Sequence, residues 1–214
     1  MLELGLKLTL AYAIGSVLGG LVVGWFFGGV DIRRVGSGNA GGTNALRTQG
    51  KLFALFVILL DVGKGILAAL LIPGLDLPLV GFDPLVDRDL LTYGVAFAAI
   101  VGHVYPIWFG FKGGKGGATA AGMLLLFAPL LAPVIIGIWI AIVAMTGFVG
   151  LATMSATIAA AVLLAFLRLP EDLALVLFAF LVAALIVFTH RSNIQRMLAG
   201  TESRFRRQAD RKST

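Results

Sequence analysis

The sequence predicts an all-α integral membrane fold of about seven transmembrane helices, with the N-terminus outside and the C-terminus cytoplasmic. Three observations predict it. The 214 residues are 59% hydrophobic and only 13% charged, with mean hydropathy +0.99, whereas soluble domains are about a quarter charged. Apolar runs long enough to enter a hydrocarbon layer recur along the whole chain. The loops between them alternate in the sign of their charge.

A hydrocarbon core about 30 Å thick takes about 20 apolar helical residues, fewer where a segment is buried in protein. The predicted spans are Leu4–Gly28, Phe53–Ile72, Leu90–Trp108, Gly117–Leu131, Pro133–Met145, Leu151–Leu167 and Leu173–Phe188. The first has no basic leader and no small-residue cleavage site, so it reads as a retained span. The region 117–167 holds no charge before Arg168, and Pro129, Pro133, Gly147 and Gly150 divide it into three. Segment 29–51 carries Arg33, Arg34, Arg47 and Lys51 against Asp31, and Lys112 and Lys115 mark the third loop. Segment 73–89 carries Asp76, Asp83, Asp87 and Asp89 against Arg88. The tail after His190 has seven basic residues against Glu202 and Asp210. Positive loops stay cytoplasmic, which demands an odd number of spans; seven fits better than five. The net charge of +6 then records cytoplasmic loops, not nucleic-acid binding. Cysteine is absent, which excludes disulfides, thiolate metal sites and a cysteine nucleophile.

Two glycine-rich polar runs interrupt the apolar sequence on that same side. Gly36–Arg47 contains Gly36-x-Gly38-x-x-Gly41, but a membrane span precedes it in place of a βαβ strand, so a dinucleotide fold is rejected. Ser37, Asn39, Thr43, Asn44 and Arg47 place several donors within twelve residues, which a plain linker does not need. The second run, Lys112-Gly113-Gly114-Lys115-Gly116, is no Walker loop: position 109 is Phe and Gly116 follows the lysine. Glycine N–H groups leading into a helix, with Thr119 in its first turn, would still hold a phosphate.

Asp61 and Lys64 share one face of the second span; a helix-orienting ion pair and a catalytic pair are equally compatible with that placement. His190 and Asn193 are i, i+3 neighbours where the last span ends, able to point back at the glycine loops. His103 and Tyr105 read as packing residues. The stretch Arg204–Lys212 reads as a solvated tail attracted to anionic lipid. No His-Glu-x-x-His, no Gly-x-Ser-x-Gly and no His with Asp four residues later is present. Carboxylates are too few on the cytoplasmic side for a protein-held Mg²⁺.

Together these segments resemble the PlsY family of bacterial integral membrane acyltransferases, which move an acyl chain from acyl phosphate to glycerol 3-phosphate and release lysophosphatidic acid. The matching stretches are GSGNAGGTNALRTQGK at 36–51, DVGKG at 61–65, GHVYPIWFGFKGGKGGATAAG at 102–122 and HRSNIQRMLAGTE at 190–202. The resemblance implies an acyltransferase domain over 1–200 with a basic cytoplasmic tail at 201–214, in the bacterial inner membrane. It carries the active-site pattern onto Ser37, Asn39, Arg47, Lys115, His190 and Asn193. Ser37, Arg47, Lys115 and His190 are then the expected catalytic group. Asn39, Thr43, Asn44, Lys112, Gly113, Gly114, Gly116, Thr119 and Asn193 are the expected substrate-binding group. Acyl phosphate is already activated, so no covalent intermediate is needed, and the resemblance favours a route in which the donor's own phosphate takes the proton while His190 orients substrate. No cofactor, metal or nucleic acid is implied, and a monomer in membrane lipid is expected. One departure stands out: members often carry serines where this chain reads Gly150-Leu151-Ala152-Thr153. An organophosphate transporter and a non-catalytic lipid-headgroup scaffold are the competing functions, though no internal repeat is visible.

Overall fold

Gly15 and Gly102 set the first helix contact. In the computed structural model, which describes residues 1–205, a Cβ on Gly15 would lie 2.8 Å from the Cα of Ala99, and one on Gly102 would strike the backbone at Tyr12 and Ser16. Helices α1 (Leu2–Gly15) and α5 (Arg88–Val104) therefore approach backbone to backbone, as small residues allow inside a membrane. The same device joins α4 (Lys51–Leu71) to α6 (Gly117–Phe127): a Cβ on Gly122 would sit 2.6 Å from the Val62 carbonyl, and one on Gly65 2.9 Å from the Thr119 methyl. Helices α8 (Val149–Arg168) and α9 (Leu173–Thr189) pack on each other, and α7 (Ala132–Thr146) lies against α8. Short helices α2 (Gly19–Phe26) and α3 (Gly42–Gln49) rest on α4, and α10 (Arg191–Leu198) follows α9. The main core unites α1, α4, α5, α6, α8 and α9, while leucines such as Leu59, Leu70, Leu177 and Leu181 face outward. Outward leucines on long apolar helices are what a lipid solvent requires.

The expected seven spans are corrected here. Three helices are long and apolar enough to cross a bilayer: α4, α5 continued through the 3₁₀ turn to Phe109, and α8. The number rises to five if α1 with α2, and α9 with α10, each count as one bent span, the bends being 43° and 51°. Gly117–Leu131 and Pro133–Met145 become helices of 11 and 15 residues, about 16 and 22 Å long, short of the roughly 30 Å core. Hydropathy alone credited both as crossings because it registers solvent preference and not where a helix stops, here after Phe127 and at Gly147. Of the predicted basic tail, residues 206–214 lie outside the described structure.

At the end of the bundle opposite the glycine runs, Arg88 donates to both carboxylate oxygens of Glu3, at 2.7 and 3.0 Å. Lys7, fully buried, donates to Glu3 at 2.7 Å and to the Pro73 carbonyl at 2.7 Å. This clasp ties α1, the 73–88 loop and α5 together.

Candidate functional site

The first glycine run folds around one side chain. Asn44, buried, accepts the Ser37 N–H at 2.9 Å through Oδ1, and its amide donates to the carbonyls of Ile32 (2.8 Å), Asn39 (2.9 Å) and Val35 (3.1 Å). Gly36 and Gly38 take φ of +60° and +71° to make that turn, a conformation open to glycine at little cost. Asn39 Oδ1 accepts the Gly41 N–H at 2.9 Å. Helix α3 then starts at Gly42 with no side-chain cap, so its first N–H groups are turned outward unsatisfied by the helix itself.

The second run is pinned differently. Gly114 N–H donates to the His103 carbonyl at 3.0 Å and Gly113 N–H to the Val104 carbonyl at 3.2 Å. Those two donors are therefore spent on the end of α5. Gly116, at φ +85°, turns the chain into α6, which also starts without a side-chain cap. The Lys115 carbonyl accepts the Thr189 hydroxyl at 3.0 Å, fastening this loop to the end of α9. Lys115 Nζ donates to Asn193 Oδ1 on α10.

The third wall is built around Glu202, a residue whose importance sequence reasoning missed. Its side chain is 5% exposed; Oε1 accepts from Asn193 at 2.7 Å and Oε2 from Arg196 at 2.6 Å. The 199–205 segment folds back so that the Ser203 carbonyl accepts from Arg47 at 3.1 Å and Phe205 N–H reaches the Gly147 carbonyl at 2.6 Å. His190 Nδ1 lies 2.7 Å from the Ile186 carbonyl. A carbonyl only accepts, so Nδ1 carries a proton and a neutral ring leaves Nε2 as an acceptor.

All three segments line one cavity of about 840 Å³. Ser37, Asn39, Thr43, Asn44, Arg47, Lys115, His190 and Asn193 meet on its wall at one end. Lys112, Gly113, Gly114, Gly116 and Thr119 do not reach that wall: Lys112 is exposed and Thr119 packs against Gly65. Burial pushes Lys115 down to about 8; Arg196 pushes the same way, Glu202 opposes, and Arg47 adds slightly to the depression. Asp61 and Lys64 form a buried 2.9 Å pair. Asp61 Oδ1 also accepts the Gly19 N–H at 3.1 Å, and Lys64 donates to the Val17 carbonyl at 2.7 Å and to His103 Nδ1 at 2.8 Å. The pair thus holds the break between α1 and α2 onto α4. Asp61 and His103 both border the cavity, with Asp61 Oδ2 unpartnered among the described residues. Beyond the polar end the cavity continues between α6 on one side and α7, α8 and α9 on the other, lined by alanines, Trp139, Ile135 and Phe178.

Residues 6–200 match the family model described as glycerol-3-phosphate acyltransferase. The chain belongs to the glycerol-3-phosphate acyltransferase family. It is therefore an acyltransferase, and a multi-pass membrane protein. A glycerol-3-phosphate acyltransferase of Chlorobium phaeovibrioides is 38% identical over 98% of this chain and all of its own length. One from Macrococcus caseolyticus is 37% identical over 94% of this chain and 96% of its own. The crystal structure of PlsY (YgiH), an integral membrane glycerol 3-phosphate acyltransferase, in its glycerol 3-phosphate form, superposes with a TM-score of 0.81. It is 36% identical, covering 95% of this chain and 96% of that one. A Cβ on Gly150 would lie 2.9 Å from Asn193 Nδ2, and the Thr153 hydroxyl is engaged by the Val149 carbonyl (3.0 Å) and the Trp139 indole (3.1 Å).

Proposed function

We propose that this cavity transfers an acyl group from acyl phosphate to the 1-hydroxyl of glycerol 3-phosphate at the cytoplasmic face of the bacterial inner membrane. The observation that carries the reading is one cavity with a cationic, donor-rich end and an apolar body. Two uncapped helix starts, of α3 and α6, face its polar end beside Arg47 and Lys115. Helix N-termini with nearby cations hold phosphates, and two phosphorylated substrates need two such places. Hydrogen bonds to charged groups contribute about 1.5–3 kcal/mol each, so several in one cleft offset the mutual repulsion of two anions.

Arg47 and Lys115 supply charge; Ser37, Asn39, Thr43 and Asn193 supply directed donors. Asn44, Gly113, Gly114, Gly116 and Thr119 act by shaping the two loops, and Lys112 adds long-range charge. The glycerol hydroxyl oxygen attacks the carbonyl carbon, and the bond from that carbon to the phosphate oxygen breaks. The departing phosphate takes the hydroxyl proton, leaving lysophosphatidic acid. His190 Nε2 orients the hydroxyl, and orientation with electrostatic stabilisation is sufficient because the donor is already activated. The acyl tail lies in the apolar body of the cavity. The reading takes the unit to be a monomer in lipid and calls for neither cofactor nor metal.

The test is purified protein in detergent with hexadecanoyl phosphate and glycerol 3-phosphate. Stoichiometric release of phosphate and lysophosphatidate is expected. No turnover with either product overturns the reading.

A further inference from the structure

The apolar body of the cavity has an end wall with a structure of its own. Phe127 closes α6, Phe178 comes from the second turn of α9, and both rings line the cavity. Their centroids are 5.7 Å apart at 88°, edge to face. Tyr93 of α5 stands behind them, 5.2 Å from Phe127 and 5.7 Å from Phe178. The Tyr93 hydroxyl donates to Asp172 Oδ2 at 3.0 Å, and Asp172 Oδ1 accepts the Leu175 N–H at 2.9 Å as the cap of α9. The wall is thus three interlocked aromatic rings braced to a helix start. Leu164 and Leu175, 4% and 3% exposed, complete it.

Helix geometry gives the depth. From Gly117 to Phe127, and from His190 to Phe178, the chain advances about 15 and 18 Å at 1.5 Å per residue. Leu175, at the bottom, is about 22 Å from His190 by the same rise. An extended acyl chain advances about 1.3 Å per carbon, given C–C bonds near 1.5 Å. The wall therefore stands about 12 to 17 carbons from the polar end. Between the two ends the lining includes the small side chains of Ala121, Ala156 and Ala160, which leaves room for a tail.

We propose that the Phe127–Phe178–Tyr93 cluster gauges the acyl chain, so that donors of about 14 to 16 carbons fill the cavity and longer ones are rejected at the wall. This rests on the acyl transfer proposed above and adds a specificity to it. The discrimination is steric: a tail leaving lipid or detergent for an apolar slot exchanges one hydrocarbon environment for another and gains little per methylene. Shorter tails are tolerated, and the penalty sets in sharply once the terminal methyl meets packed aromatic rings.

The experiment is a chain-length series of saturated acyl phosphates, decanoyl to eicosanoyl, with glycerol 3-phosphate held constant and kcat/KM measured for each. For the wild-type protein, a fall of about tenfold or more is expected between hexadecanoyl and eicosanoyl donors, the range a methylene-sized misfit produces. Phe178→Ala opens the wall and should reduce that fall to about threefold or less. Ala160→Leu adds bulk into open space about 15 Å from Gly150. It should move the cut-off down, with hexadecanoyl phosphate losing about tenfold while decanoyl phosphate stays within about threefold of wild type. If Phe178→Ala does not fold, Ala160→Leu decides alone. A flat wild-type profile, or variants whose profiles superpose on wild type, overturns the gauge while leaving the acyl transfer standing. Failure of every donor in the wild-type protein instead overturns the transfer itself.

Discussion

Raising the pH should switch off the positive charge of Lys115. Burial and the facing guanidinium groups hold this amine at about 8, so the direction is loss of positive charge as pH rises through that value. At pH 7 about nine-tenths of the molecules carry the charge and at pH 9 about one-tenth do, if that value sets the free-enzyme limb. Between those limits kcat/KM for glycerol 3-phosphate should fall about tenfold, with phosphate monoesters already dianionic since their second pKa is near 6. The assay is phosphate release at subsaturating glycerol 3-phosphate from about pH 6.5 to about pH 10, which brackets the limb. Two substitutions should move it in opposite directions. Arg196→Gln removes a cation that depresses Lys115 and should shift the limb upward. Glu202→Gln removes the carboxylate that opposes the depression and should shift it downward. An alkaline profile flat across this range, or two variants that shift the same way, would refute the placement of Lys115 as the titrating charge.

Four further outcomes are expected. Arg47→Ala should lose about tenfold or more in kcat/KM, equivalent to about 1.4 kcal/mol of transition-state stabilisation; a wild-type rate removes the residue from the site. His190→Ala should raise KM for glycerol 3-phosphate while any limb near pH 6–7 persists in the rate profile, and disappearance of that limb would make His190 the base. Gly150→Ala should weaken acceptor binding, because the new Cβ falls 2.9 Å from Asn193 Nδ2, whereas Thr153→Val should leave glycerol 3-phosphate KM unchanged; the reverse pattern contradicts the assignment of these positions. Activity should survive a chelator in the reaction mixture, and strict dependence on added Mg²⁺ would require a site different from the one described.

The stretches that form the polar end of the cavity were legible because their chemistry is local. Donors packed into Gly36–Arg47, and a lysine among glycines, are unusual between apolar helices wherever they occur. Glu202 and Thr189 were not legible. Each acts on a partner distant in sequence or presented by a turn: Thr189 reaches the Lys115 carbonyl 74 positions away, and Glu202 closes on Asn193 only because Gly200, at φ +69°, turns the chain back. Asp61 and Lys64 showed as a pair, but their service to the α1–α2 break appears only when Gly19 N–H and the Val17 carbonyl are brought beside them. The helix count failed for a related reason. Mean hydropathy reads solvent preference and is nearly blind to where a helix stops, and the stops at Phe127 and Thr146 are made by tertiary packing and by Gly147 at φ +75°.

The order in which the walls of the cavity occur along the chain has a consequence for biogenesis. Chains are made from the N-terminus and domains fold as units as they emerge. The loop at 36–47 and the one at 113–116 are both complete well before 190–203 exists. Lys115 has neither its Asn193 partner nor the Thr189 tether until α9 has settled beside α5. A half-inserted chain therefore holds two cationic loops without the third wall of the cavity. On the proposed site, insertion of α9 and α10 doubles as the step that arms the protein, and the membrane then receives activity only from molecules that have finished entering it.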